Sequence, residues 1–176
     1  MAEWELMARE LVDARYGVLV GYARLVAGSS ADAEDIVQDA LISTFGRRRT
    51  FASVPEAEAY VRRAIVSRFI DGARRSSRTK RTALTDRGVA GHADAVETSL
   101  DLTAALASLT ARERACVVLR HLDGLSVAET SHALGIAEGT VKRYVADGLA
   151  KLNAQLGTDA AVDDRVSIQT HKGGAK

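Results

Sequence analysis

Ser126-Val127-Ala128-Glu129-Thr130-Ser131-His132-Ala133-Leu134-Gly135-Ile136-Ala137-Glu138-Gly139-Thr140-Val141-Lys142-Arg143-Tyr144 has the grammar of a helix-turn-helix. Ser126 is a helix cap. Ser131 is small where two crossing helices approach closely. Gly135 stands where the turn needs a residue that accepts positive φ. Ile136 and Val141 are the apolar pins of the second helix. That helix then presents Glu138, Thr140, Lys142, Arg143 and Tyr144 outward, polar groups suited to a DNA groove. A glycine-turned helical hairpin of any kind would share part of this pattern. Upstream, Leu109-Thr110-Ala111-Arg112-Glu113-Arg114 followed by Cys116-Val117-Val118-Leu119 supplies a capped helix with an apolar face to buttress it.

Working outward, the signals remain helical. One Pro in 176 residues, with abundant Ala, Leu, Val, Arg and Glu, favours helix, and no strand-like alternation stands out. Leu11, Ala14, Val18, Tyr22 and Leu25 recur at three- or four-residue steps, as one buried face of a first helix from about Glu5 to Val26. After Gly28-Ser29-Ser30, a second helix carries Ile36, Val37, Ala40, Leu41 and Phe45, with Ser30 or Asp32 as cap. A third begins near Glu56, with Tyr60, Val61, Ala64, Ile65 and Phe69 inward, and frays into Arg74-Arg75-Ser76-Ser77. The fold expected is all-α, two small helical domains joined by a flexible linker. Their bounds are 5–81, a linker over 82–99, 100–156 for the helix-turn-helix domain, and a disordered polar tail over 157–176.

The net charge of +1 conceals an asymmetry. Between Arg47 and Arg87, twelve basic side chains face four acidic ones, a net +8, so the remainder carries −7. A polyanion-binding middle with flanks meant for something else follows from that split. The single cysteine, Cys116, lies in an apolar run, which excludes an internal disulfide and fits a reducing compartment. No signal peptide or membrane-length apolar run is evident, so no membrane insertion and a cytoplasmic location are expected. His92, His121, His132 and His171 have no metal-ligand spacing, and there is no phosphate-cradling glycine loop. No catalytic residue, metal or cofactor is expected; the chain does not read as an enzyme.

The run from Leu109 to Leu152 resembles region 4 of sigma factors, and also the DNA-binding domain of the LuxR type. Leu-Thr-x-Arg-Glu-Arg, Gly124-Leu125-Ser126 and Gly139-Thr140-Val141-Lys142 carry both likenesses. The N-terminal half separates them. Asp32-Ala33-Glu34-Asp35-Ile36-Val37-Gln38-Asp39-Ala40-Leu41-Ile42, closing with Phe45, resembles sigma region 2.2. On a helix Asp35, Gln38 and Asp39 share an outward side, a poor fit to nucleic acid and a good fit to a basic protein. Taken alone, that surface reads as a solvated acidic face at its own helix N-terminus. The resemblance implies docking on the largest subunit of core RNA polymerase.

Tyr60-Val61-Arg62-Arg63-Ala64-Ile65-Val66-Ser67-Arg68-Phe69-Ile70-Asp71-Gly72-Ala73-Arg74-Arg75 resembles regions 2.3 and 2.4, which hold the melted strand of the −10 element. Arg62, Arg63, Arg74, Arg75 and Arg78 are then candidates for backbone contacts. Ser67 stands where many relatives have Asn, and the loop from Phe51 to Glu58 is the base-capturing wall. The helix-turn-helix would read the −35 element. Tyr144 and Asp147 replace further basic residues there, so fewer phosphate contacts and a lower salt dependence are expected. Together these likenesses span roughly residues 10 to 156 and identify the chain as resembling extracytoplasmic-function sigma factors of the sigma-70 family. Implied partners are core RNA polymerase and promoter DNA, with an anti-sigma factor as a candidate third. The rival readings are a LuxR-type regulator and a sigma-like decoy that binds polymerase without opening promoters.

Overall fold

The computed structural model describes residues 1–28, 30–82 and 97–156, without the side chains of 30–31, 77–82 and 97–101. Seven α-helices account for most of them: α1 (Glu3–Ala27), α2 (Ser30–Phe45), α3 (Val54–Thr82), α4 (Glu97–Ala107), α5 (Ala111–Val117), α6 (Val127–Leu134) and α7 (Glu138–Leu156). A π-helical segment, Val118–Leu122, continues α5 toward α6. No strand occurs among the described residues, and the all-α fold in two helical parts is as the sequence predicts. Most of the expected linker and the whole expected tail lie outside the described residues; Thr82 closes α3 and residues 97–99 open α4.

Helices α1 to α3 pack around Leu11, Leu19, Ala23 and Val26 from α1, Ala33, Val37 and Ala40 from α2, and Ala57, Val61, Ile65 and Val66 from α3. The buried line of α1 differs from the predicted one. Leu11 and Tyr22 face inward as expected, but Ala14 and Val18 are exposed, and Leu19, Ala23 and Val26 take the core. Arg15 lies on the side that meets α3: its Nε reaches the buried Glu58 carboxylate at 2.8 Å, a contact that a hydrophobic periodicity cannot score. Helix α3 is also longer at both ends than expected. Ser53 caps its start, accepting from Glu56 N–H at 3.4 Å, so Pro55 falls in the first turn where its missing N–H costs nothing. At the other end, 73–82 contains neither Gly nor Pro, and Arg and Lys propagate helix well.

The C-terminal half is built on α5. Thr110 caps it by accepting from Glu113 N–H at 3.3 Å, while the Glu113 carboxylate accepts from Thr110 N–H at 3.0 Å. Glu113 and Arg114 are both buried. Lys151 of α7 donates to both Glu113 oxygens at 2.8 and 2.9 Å. Burial alone would raise the Glu113 carboxyl; these donors overcome it and hold the group below the usual range.

Helices α5 and α7 meet closely at Gly148, where a Cβ would lie 2.8 Å from Val117 Cγ2. Val117 is β-branched and cannot simply swing aside. Gly148→Leu is therefore expected to lower the unfolding free energy by about 1–3 kcal/mol, as overpacking does. Gly148→Ala should cost less, because better helix propensity offsets part of the clash. Urea unfolding followed by circular dichroism checks both.

Candidate nucleic-acid and protein interfaces

The helix-turn-helix follows the predicted chemistry closely. Ser126 accepts from Glu129 N–H at 3.1 Å and donates its own N–H to Glu129 Oε2 at 2.7 Å, a reciprocal cap that also holds the exposed Glu129 carboxyl below its ordinary range. Helix α6 ends at Gly135, whose φ of 61° lies in the left-handed region. Ser131 Oγ donates to Ile136 carbonyl at 2.6 Å across that turn. Val141 is fully buried and pins α7. Glu138, Lys142 and Arg143 are exposed, and Thr140 and Tyr144 are half-buried. The Arg143 guanidinium sits 5.3 Å from the Tyr144 ring, within cation–π range.

On α2, Val37 and Ala40 point into the core while Asp35, Gln38 and Asp39 are exposed. Ile42 continues the same outward stripe and is 70% exposed. Sequence reasoning passed over Ile42 as one more apolar residue. Its spacing of three to Asp39, four to Gln38 and seven to Asp35 was the available signal.

Helix α3 exposes Arg63, Ser67 and Arg74 at helical spacing, with Arg75 also exposed. Arg78 belongs to α3, but its side chain lies outside the described residues. Arg62 differs from the others. Its guanidinium donates to Glu58 Oε1 at 2.7 Å and reaches Asp123 Oδ1 at 3.4 Å, and it lies 5.0 Å from the Tyr22 ring. In this arrangement Arg62 is committed to protein partners. At the mouth of α3, Phe45, Phe51 and Tyr60 form an aromatic group with centroid separations of 5.8 and 5.4 Å. Arg49 covers the Tyr60 ring at 4.4 Å and Arg63 approaches it at 5.9 Å. Aromatic rings with guanidiniums beside them suit the stacking of a nucleobase and the neutralisation of its phosphates.

Elsewhere, burial pushes the Cys116 thiol up to about 11 despite the nearby Arg112, so it is a packed thiol rather than a nucleophile. Among the described residues no cluster of His, Cys, Asp and Glu could hold a metal ion, and no helix is long and apolar enough to cross a membrane.

Two helical parts, one with an arginine face and one with a helix-turn-helix, have counterparts in known proteins. Residues 11–79 match sigma-70 region 2, and residues 99–152 match sigma-70, region 4. The ECF RNA polymerase sigma factor SigM of Mycobacterium tuberculosis is 35% identical over 136 residues, covering 77% of this chain and 69% of SigM. The RNA polymerase sigma-E factor of Streptomyces avermitilis is 34% identical over 162 residues, 89% of each chain. The fold matches a chain in the co-crystal structure of the sigma factor RpoE with the anti-sigma factor NepR from Bartonella quintana. That match has a TM-score of 0.64 and 22% identity, and covers 86% of this chain and 97% of that one. The chain belongs to the ECF RNA polymerase sigma factors, proteins of transcription initiation.

Proposed function

We propose that this chain docks on core RNA polymerase through the exposed α2 stripe, recognises −10 and −35 promoter elements, and promotes DNA melting. The observation that carries the reading is the division of the N-terminal half into two chemically opposite faces. Asp35, Gln38, Asp39 and Ile42 stand exposed on α2, and Arg63, Ser67 and Arg74 stand exposed on α3. An acidic face with an apolar end suits a basic protein surface. An arginine face beside Phe51 and Tyr60 suits an opened strand. Arg62, Arg75 and Arg78 extend the strand-binding set.

The C-terminal half reads duplex DNA through Glu138, Thr140, Arg143 and Tyr144 in the major groove, with Lys142 on the phosphate backbone. Melting is driven by binding energy. Unstacking costs a few kcal/mol per base, and capture of flipped bases returns it. Chemistry belongs to the polymerase, and this chain contributes recognition in the cytoplasm, where the polymerase works. An anti-sigma factor is a natural third partner, since the matched RpoE is bound to one.

Run-off transcription with purified core polymerase, this protein and genomic fragments that include its own upstream region tests the reading. Defined, protein-dependent transcripts are expected. Their absence, with the protein shifting duplex DNA on its own, would favour a conventional helix-turn-helix regulator instead. Retained core binding without transcripts would mark a sigma-like decoy. For the duplex-reading surface, Lys142→Ala should weaken binding about equally across sequences and reduce the salt slope by about 1, as loss of one phosphate contact does. Fluorescence anisotropy at several salt concentrations reads this directly.

A further inference from the structure

The two halves are joined by polar contacts, one of which occupies Arg62, a residue the initiation reading assigns to the opened strand. Tyr22, on α1, donates its hydroxyl to Asp123 Oδ2 at 2.6 Å. Asp123 lies in the turn just before α6, and its side chain is only 8% exposed. Arg62 bridges it to Glu58, which is in turn held by Arg15 at 2.8 Å. Burial and the adjacent Asp123 push the Tyr22 phenol far above its ordinary range, so it is a neutral, permanent donor. Burial also raises the Asp123 carboxyl, an effect that Tyr22 and Arg62 oppose.

These bonds position α6 across α3. A cleft of about 890 Å³ separates them, with Tyr60, Arg63, Ser67 and Arg68 on one wall and Glu129 and His132 on the other. The carboxylate of Glu129 stands within the field of Arg63. The wall that would take an opened strand thus faces the chain's own helix-turn-helix, with a carboxylate where phosphates would have to enter. Arg62, meanwhile, is spent on Asp123 and Glu58.

We propose that Tyr22, Asp123, Arg62 and Glu58 form a latch that keeps the free chain closed, with α6 standing over the strand-binding face of α3. The latch restrains the chain from taking up single-stranded DNA until separation of the halves frees Arg62 and clears the cleft. Its cations are partly exposed, Arg15 at 47% and Arg62 at 26%, so solvent and salt compete for them, and separation of the halves also requires Arg114 to give up the Val26 carbonyl. The inhibitory role rests on the assignment of the α3 face to the opened strand; the closed state itself does not.

The test uses the full chain with a donor and an acceptor dye on Ala52→Cys and Ala137→Cys, both at exposed positions. Cys116 is buried and does not compete for label under native conditions. In the otherwise unaltered chain, energy transfer should be high and should fall as salt screens the ion pairs. Tyr22→Phe combined with Asp123→Asn, which preserves volume, should lower transfer at low salt and remove its salt response. Unlabelled protein with the same two changes should bind a short single strand carrying the non-template −10 region of a promoter located by the run-off assay about five- to tenfold more tightly, the low end for two linked equilibria. Circular dichroism establishes that the variant is folded. Should it fail to fold, the salt response of the unaltered chain decides. Unchanged transfer in a folded variant, or none of the salt response, overturns the latch. Opening without tighter strand binding overturns its inhibitory role, and run-off transcription with core polymerase present reports separately on the α3 assignment.

Discussion

Arg114→Ala is expected to lower the unfolding free energy by about 3 kcal/mol or more, the largest loss foreseen for a single substitution in this chain. The guanidinium is buried and satisfies backbone carbonyls on three segments. Nη1 donates to Val26 at 2.8 Å, and Nη2 donates to Ala107 at 2.8 Å and to Leu109 at 3.3 Å. Val26 and Ala107 are in the last turns of α1 and α4, where carbonyls have no partner within the helix and the dipole favours a cation. The same group lies 5.3 Å from the Phe69 ring of α3. Truncation would strand these acceptors out of water and remove an aromatic contact together. Arg114→Lys should recover at most about half of the loss, because an ammonium is a point donor and cannot span the three segments. Urea unfolding of both variants is the measurement; an Arg114→Ala protein within about 1 kcal/mol of the unaltered chain would refute this account.

Arg114 also shows where sequence reading stops. Its hexapeptide, Leu109 to Arg114, is legible as a capped helix start, and Thr110 does cap α5. Nothing in a hydrophobic pattern says that the Glu and Arg of that motif turn inward. Buried charges are recognisable only through their partners, here Lys151, Val26 and Ala107, and those come from other helices. Arg15, half-exposed, reaches Glu58 from the inner side of α1, a partner that equally comes from another helix.

Features governed by local chemistry were legible. Ser126 as a cap, Gly135 at positive φ and the outward face of α2 each depend on residues within one or two turns. The approach of the two halves was not. Tyr22 and Asp123 are separated by 101 positions, and neither residue type at its own place announces the other. The consequence is greatest at Arg62, which periodicity groups with Arg63 as one more basic residue and which the fold turns toward Asp123.

Asp35→Ala with Gln38→Ala should behave in the opposite way to Arg114→Ala, leaving stability unchanged and removing function. Both side chains are exposed on α2, opposite the buried Val37 and Ala40. Surface changes of this kind stay within about 0.5 kcal/mol, and alanine favours helix. Their cost falls on the partner. If the stripe is the docking face, its central residues are hot spots worth about 2 kcal/mol each, and losing two would weaken the complex by two orders of magnitude or more. Run-off transcripts should then vanish at protein concentrations that saturate the unaltered chain, and should return in part when the variant is added in large excess. Duplex binding through the helix-turn-helix should persist, since α7 is untouched. Ile42→Ser, at the apolar end of the same stripe, should weaken docking with the same thermal melt as the unaltered chain. Core binding by the double variant at unaltered affinity would place the docking face elsewhere, because no fold defect could then account for the result.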